Sequence, residues 1–552
     1  MDNDPTRTTF SFRRFPARFR PWLVVLLVVV FAGFIRVRLL DMPLERDEGE
    51  YAYAGQLILQ GIPPYELAYN MKLPGTYVAC ALGMAVFGQT NWGIHLTLLV
   101  VNSLTTVFVF VLGRKLFGPA AGLVAGAAYA TMSVSPEVYG LAAHATQFVV
   151  LFAVPATWLL WKACEADDRK MFFLSGGLFG LAFLMKQPGI CFGLFGAMVL
   201  LGRAVRSKSV FTREGAGTFL MFGAGLVLPF VFLCLATVVA GDFSRFWFWT
   251  FSYAGAYAVS VPLANGVSLL AEHLKHGAAL SWGFWGLALA GLPFGWRDPS
   301  GRKATVFLLL LWGCSFLGTA SGLYFRWHYF VLVLPAFAIL LGRSVAILLE
   351  RGRGSRLAAL GPALFVMFCL WTVFHQRRLL FELSPFQASQ TIYQGNPFVE
   401  SLAVAGYIRS HSAADAQVAV VGSEPEIYFY AQRHSATGYI YTYPLVDSQP
   451  YAGRMQREMV SEIESNRPAY LVLVMYKTSW LIRPASDVTI LHWFDAYAKA
   501  YYDRVGVIGV RSTGEPVGVW DADAGSFHEP LDRFIMIYRR RPDPAPGPVR
   551  RD

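Results

Sequence analysis

The chain is poor in charge. Only 15% of its 552 residues are Asp, Glu, Lys or Arg, against about 25% in an ordinary soluble domain. That deficit excludes a single water-soluble globule. It is also uneven: residues 21–374 carry long apolar runs, while 375–552 read as a normal soluble segment. Cysteine is absent from the second part. All six cysteines (Cys80, Cys164, Cys191, Cys234, Cys314 and Cys369) lie in the apolar part, and none pairs at metal-ligand spacing. A disulfide framework or structural zinc site in the soluble segment is therefore excluded. No Asn-x-Ser/Thr sequon occurs, which favours a bacterial origin. No repeat of roughly 20–50 residues is visible. Arg13, Arg14, Arg18 and Arg20 precede an apolar run at 21–40, but no small-residue cleavage site follows. The run is long enough to span a bilayer and reads as a retained first span rather than a signal peptide.

What is present is 55% hydrophobic residues and a net charge of +11. The basic residues sit in short clusters between apolar runs. That pattern marks cytoplasmic loops, and nucleic acid is rejected as a partner. The runs give eleven spans: 21–40, 91–112, 119–134, 145–161, 171–185, 189–202, 216–240, 277–294, 304–320, 330–348 and 357–374. With the N-terminus (1–20) cytoplasmic, all five basic linkers fall inside. They are Arg114-Lys115, Lys162 with Arg169-Lys170, Arg203–Arg213, Arg297–Lys303 and Arg351–Arg356. A twelfth span at 73–88 would reverse that parity, so 73–88 is expected to be an interfacial or re-entrant helix within a first external loop, 41–90. The segment 241–276 is expected to be an external loop whose aromatics, Phe243 to Trp249, lie at the interface.

The remainder, 375–541, is expected to be an extracytoplasmic α/β domain. Strand-like runs occur at 418–421, 470–475, 505–510 and 534–538; helical spacing occurs at 398–410, 424–432 and 454–466. The Gly422-Ser423-Glu424 turn reads as a capped strand-to-helix turn, with a ligand loop as the alternative. The Pro-rich tail 542–552 is expected to be disordered.

The densest polar group beside the membrane is Glu45-Arg46-Asp47-Glu48-Gly49-Glu50, just after the first span. A short amphipathic helix follows at 51–60, with Asp47 or Glu48 at its positive end. The same loop carries Lys72 before the interfacial helix. Carboxylates and a lysine in one external loop suit a lipid with an anionic head. Helix capping in a solvated loop is the plainer reading.

These residues carry a resemblance. "RDEGEYAYAGQLILQGIPPYE", "KLPGTY", "LAFLMKQPG" and "YFRWHYFVLVLPAFAILLG" resemble segments of the GT-C membrane glycosyltransferases. The similarity is greatest to the family-39-like bacterial branch, related to protein O-mannosyltransferases and aminoarabinose transferases. The resemblance implies an integral bacterial inner-membrane enzyme of GT-C fold. It implies a polyprenyl-phosphate sugar donor, inversion at the anomeric carbon, and a lipid, glycan or protein hydroxyl as acceptor. It makes Asp47 the general base, with Glu48 orienting the acceptor or Asp47. Positive charge at the departing phosphate would come first from Lys72, then Lys186, then Arg326 and His328. For Lys186 and Arg326, snorkelling at the interface is the alternative; Arg36 and Arg38 are expected to snorkel. Met71 stands where some relatives place a carboxylate before the motif lysine, so the motif does not support a divalent metal, although three external histidines could bind one. His144, His273 and His276 show no ligand spacing that demands one. A lipid-linked-substrate transporter or flippase, or a non-catalytic scaffold, are the competing functions. Against a transporter stand the lack of clear mid-span ionisable residues and of halves related by symmetry.

Overall fold

The structure is a computed structural model that describes residues 19–297, 301–352, 356–484 and 486–542. The sequence expectations for 1–18 and for almost all of the tail lie outside the described residues. Helix α1 (Arg20–Arg38) opens the membrane region. Among the described residues six helices are long and apolar enough to cross a membrane: α1, α4 (Asn91–Phe117), α6 (Ala145–Ala166), the stretch Gln187–Arg206 containing α8 (Ile190–Arg206), α9 (Arg213–Val239) and Arg302–Ala320. Three other expected spans are α5 (Pro119–Ser133), α7 (Arg169–Met185) and Leu360–His375; they are shorter. The helix Leu334–Arg351 is buried along most of its length. Thus each of the eleven apolar runs corresponds to a helix, and the chain is an α-helical polytopic membrane protein with a small C-terminal sheet.

Helix packing here depends on small residues that let backbones approach. A Cβ on Gly176 of α7 would lie 2.1 Å from the Phe222 carbonyl oxygen of α9, and one on Gly225 of α9 would lie 2.1 Å from that of Phe173. No side chain larger than hydrogen is accommodated at either crossing.

The segment 241–276 is not a loop. Residues Phe243–Ala258 form a helical stretch, bent by 86° from the next, and Leu263–Arg297 is one 35-residue helix. Charged and polar residues at 272–276 conceal this helix's first turns in the sequence. Of the aromatics, Phe246 and Trp249 are buried, whereas Trp247 is exposed. Arg36 does not snorkel either. It is 5% exposed and donates to the carbonyls of Gly140 (2.8 Å) and Ser133 (2.9 Å).

The C-terminal domain holds a six-stranded sheet in the order β2-β1-β3-β6-β4-β5. Strands β1 (Gln417–Val421), β2 (His434–Ser435) and β3 (Tyr470–Met475) are parallel; β4 (Tyr502–Val510), β5 (Pro516–Trp520) and β6 (Arg533–Arg540) add antiparallel pairs. The strands at 418–421, 470–475, 505–510 and 534–538 are present; β2 is too short to read, and β5, PVGVW, carries a proline and a glycine that weaken its strand pattern.

Candidate active site

The helix expected at 51–60 begins earlier. Helix α2 (Arg46–Leu59) starts in a capping box: Glu45 accepts from Glu48 N at 3.0 Å, and Glu48 accepts from Glu45 N at 3.3 Å. This fixes Asp47 in the first turn. Residues 48–57 of α2 are buried on nearly every side, between α3 (Gly75–Phe87) and the helix Glu426–Ala431. It is therefore an interior helix rather than an amphipathic one at the interface. α3 itself leaves Val78, Leu82 and Val86 exposed.

Three further segments converge on Asp47. The Lys72 loop is tied to the break between α7 and α8 by Thr76 Oγ1 to Met185 O (2.8 Å) and Gln187 Nε2 to Met71 O (2.6 Å). That break, extended at Lys186 and turned at Pro188, carries Lys186. Thr146 Oγ1 donates to His328 O (2.9 Å), which brings the start of α6 and its preceding His144 against the segment 326–332.

A cavity of about 540 Å³ lies where these segments meet. Asp47, Lys72, Lys186, Arg326 and His328 all line it, with Phe183, Ile190 and Phe251 on its apolar side and Tyr441, Tyr443, Asp447 and Arg483 of the C-terminal domain above. Five of the six expected site residues are thus brought together. Glu48 is not among the lining residues. It is fully buried, accepts from Ala143 N at 2.6 Å, and lies 3.3 Å from His95 Nε2. Its contacts anchor α2 to neighbouring segments.

Lys72 Nζ bridges Asp47 Oδ1 (2.8 Å) and Glu50 Oε2 (2.6 Å). Asp47 Oδ2 remains 3.6 Å from His144 Nδ1 and 4.0 Å from His328 Nε2. Burial pushes the Asp47 carboxyl up, but Lys72, aided by the nearby His144, outweighs it and holds it well below the usual carboxylate range. Burial opposes the Lys72 charge; Asp47 and Glu50 more than restore it. Glu50 stays above the ordinary value because burial exceeds the help of Lys72. Its second oxygen accepts from the Tyr77 hydroxyl. Lys186 makes no ion pair among the described residues. Burial pulls its ammonium down to about 7, and Nζ sits 4.0 Å from the Tyr329 ring centre. Arg326 also lacks a carboxylate; its Nη2 donates to Tyr257 Oη at 3.3 Å. Burial, reinforced by His144 and Lys186, keeps His328 a neutral imidazole.

Glu50, His144 and Tyr441 were not assigned roles from the sequence. Glu50 had a signal: it lies three residues after Asp47, on the same helix face. His144 and Tyr441 had none, since their approach is long-range.

Asp47, His144 and His328 place one ligand atom each within 4.8 Å of one another. The two imidazole rings, however, stack at 4.0 Å between centres with planes 12° apart. Their in-plane lone pairs run side by side, whereas a tetrahedral ion needs lone pairs that converge. The set as arranged does not fit a metal ion, and no step is derived through one.

The helical membrane region with a polar cavity at one end, capped by an α/β domain, resembles that of the GT-C membrane glycosyltransferases, and the chain is similar in sequence to their family-39-like branch. The family described as dolichyl-phosphate-mannose-protein mannosyltransferase matches residues 72–233. The undecaprenyl phosphate-alpha-4-amino-4-deoxy-L-arabinose arabinosyl transferase of Pseudomonas aeruginosa is 29% identical over 390 residues, 66% of this chain and 67% of that protein. Among solved structures, ArnT from Cupriavidus metallidurans bound to undecaprenyl phosphate superposes with a TM-score of 0.55 at 15% identity, covering 94% of this chain and 98% of the other. The Archaeoglobus fulgidus oligosaccharyltransferase gives 0.52 at 12% identity, over 92% of this chain and 75% of its own. These two likenesses concern the fold.

Proposed function

We propose that this protein transfers a sugar from a polyprenyl-phosphate donor to a hydroxyl acceptor at the extracytoplasmic face of the bacterial inner membrane. The observation that carries the reading is a carboxylate whose one oxygen is taken by Lys72 and whose other faces two imidazoles, at a cavity that holds two cations, Lys186 and Arg326, without carboxylate partners among the described residues. Relatives whose names specify an undecaprenyl-phosphate sugar donor support it.

In this reaction the acceptor hydroxyl gives its proton to Asp47 Oδ2 as its oxygen bonds to the anomeric carbon. The bond from that carbon to the phosphate oxygen breaks, and the configuration inverts. A phosphate leaves without protonation, so no general acid is required. The residues' task is to stabilise the charge that grows on it. Lys186 and Arg326 are placed for that. Phosphate arriving beside Lys186 favours its charged form. Lys72, taken up by two carboxylates, keeps Asp47 ionised. Neutral His328 offers an imidazole edge beside Lys186 Nζ, at 3.5 Å. The prenyl chain lies along Phe183, Ile190 and Phe251.

The basic linkers support a cytoplasmic N-terminus, which puts residues 375–541 outside. A reporter fused after residue 375 should behave as external. The activity is tested with membranes containing the full chain and a panel of polyprenyl-phosphate sugars. Transfer from one donor supports the reading and identifies the sugar. Failure with every donor, given a broad acceptor extract, would turn attention to transport of a lipid-linked substrate.

A further inference from the structure

Arg46 and Glu50, on either side of Asp47, are held by the α/β domain, whereas the Asp47 carboxylate, among the described residues, meets Lys72, His144 and His328 of the membrane region. Arg46 donates from Nη2 to Glu424 Oε1 at 2.9 Å and from Nε to the Ser423 carbonyl at 2.5 Å. Its guanidinium lies 5.4 Å from the ring centres of both Phe398 and Tyr443. Glu424 is fully buried, and its other oxygen accepts from Ser423 N and Ser479 Oγ, each at 2.7 Å. That carboxylate is thereby locked in orientation. Tyr441 Oη is 3.0 Å from the Arg46 carbonyl and 2.9 Å from Glu50 Oε2. Glu50 Oε2 is the same oxygen that receives Lys72 at 2.6 Å. The Gly422-Ser423-Glu424 turn is therefore a built receptor for Arg46 rather than a free turn.

We propose that Glu424 and Tyr441 are positioning residues. Glu424 aims Asp47 through Arg46. Tyr441 aims it through Glu50 and the shared Lys72. The proposal rests on the reading of Asp47 as the base, and it gives the α/β domain a role in the chemical step. The physical need is plain. Four carboxylates, Glu45, Asp47, Glu48 and Glu50, crowd six consecutive residues at the start of α2. Their mutual repulsion works against any single placement of the helix end. Fixed partners on the far side resist that repulsion, and a displacement of about 1 Å at a reacting group costs on the order of 10²-fold in rate.

Two full-length variants test it. Glu424→Gln offers one carbonyl oxygen where two acceptor faces are needed, so it cannot serve both Arg46 and the Ser423/Ser479 side. Tyr441→Phe keeps the ring and removes only the hydroxyl, so it preserves the fold. With the donor identified by the panel, each variant should lower kcat by roughly 10–100-fold and leave the donor KM within about threefold, the pattern of an interaction felt in the transition state. Hydrogen exchange, read without substrate, should quicken at amides 44–51 while β1, β3 and β6 keep their protection. Unchanged kcat, or a parallel rise in KM, overturns the proposal, as does unchanged exchange at 44–51 in both variants. Should Glu424→Gln lose protection throughout the sheet, Tyr441→Phe decides. Should the wild type transfer nothing, the functional reading fails by itself, and the exchange result still decides whether the domain holds the loop.

Discussion

The membrane region and the seam beneath the α/β domain satisfy buried polar groups in opposite ways. For buried threonines within the membrane helices the solution is local. Thr97, Thr105, Thr106 and Thr157 each donate to a carbonyl four residues earlier in the same helix. At the seam the solution is distant. Arg46 meets Glu424 across 378 residues, and Tyr441 meets Glu50 across 391. A span tolerates a threonine because its helix supplies the acceptor. The seam tolerates charge only because a second domain supplies the partner. Loss of one group in a span should therefore be nearly silent, and loss of one at the seam or cavity should not.

The largest contrast is expected at the cavity cations. Lys186→Ala combined with Arg326→Ala should lower kcat/KM by about 10³-fold, because each removes a group facing the developing phosphate charge. Thr105→Val, the matched change inside a span, should leave it within about twofold. Equal effects would erase the distinction drawn here. Steady-state transfer with the identified donor measures both.

The pH profile sharpens the same point. Lys186, lowered to about 7 by burial, must be charged to attract the donor. Hence kcat/KM should fall as pH rises through about 7, by roughly tenfold per unit beyond it. By contrast, kcat should hold, since bound phosphate raises the lysine again. Asp47 has a depressed carboxyl, so its ionised form is lost only as pH falls below the ordinary carboxylate range. The acid limb should lie there and not near neutrality. An alkaline limb in kcat alone would contradict the assignment of Lys186.

A smaller effect, on stability, is expected at the seam's packing. A Cβ on Gly49 would lie 2.6 Å from Glu426 Cβ and 2.7 Å from its backbone nitrogen. Gly49→Ala should destabilise the protein by about 1–3 kcal/mol, since backbone and not a flexible side chain must move. Gly33→Ala, which meets nothing within 4 Å in α1, should not destabilise. Thermal unfolding in detergent compares the two.

The same contrast explains what the sequence made legible. Apolar runs and basic linkers are local signals, and, the run 277–294 apart, they located the spanning helices to within about five residues. Asp47, Lys72, Lys186, Arg326 and His328 stand in recognisable local patterns and line one cavity. Glu48 looks equivalent to Asp47 in the sequence, but one helical step turns it toward Ala143 and His95 instead. The buried state of α2 was not legible, because the helix covering it, Glu426–Ala431, lies some 380 residues on. Nor was the helix at 263–276, where polar residues interrupt the apolar pattern. The histidine pair is likewise invisible until α6 and the 326–332 segment are folded together.

The most direct measurement is a single-turnover transfer with enzyme saturated by its polyprenyl-phosphate sugar, comparing wild type with Asp47→Asn, alongside donor affinity on the same preparations. The amide keeps the shape and removes the base. The account predicts donor binding within about threefold of wild type and transfer slowed by at least ~10²-fold. Equal transfer by both proteins would contradict it and remove Asp47 from the chemical step.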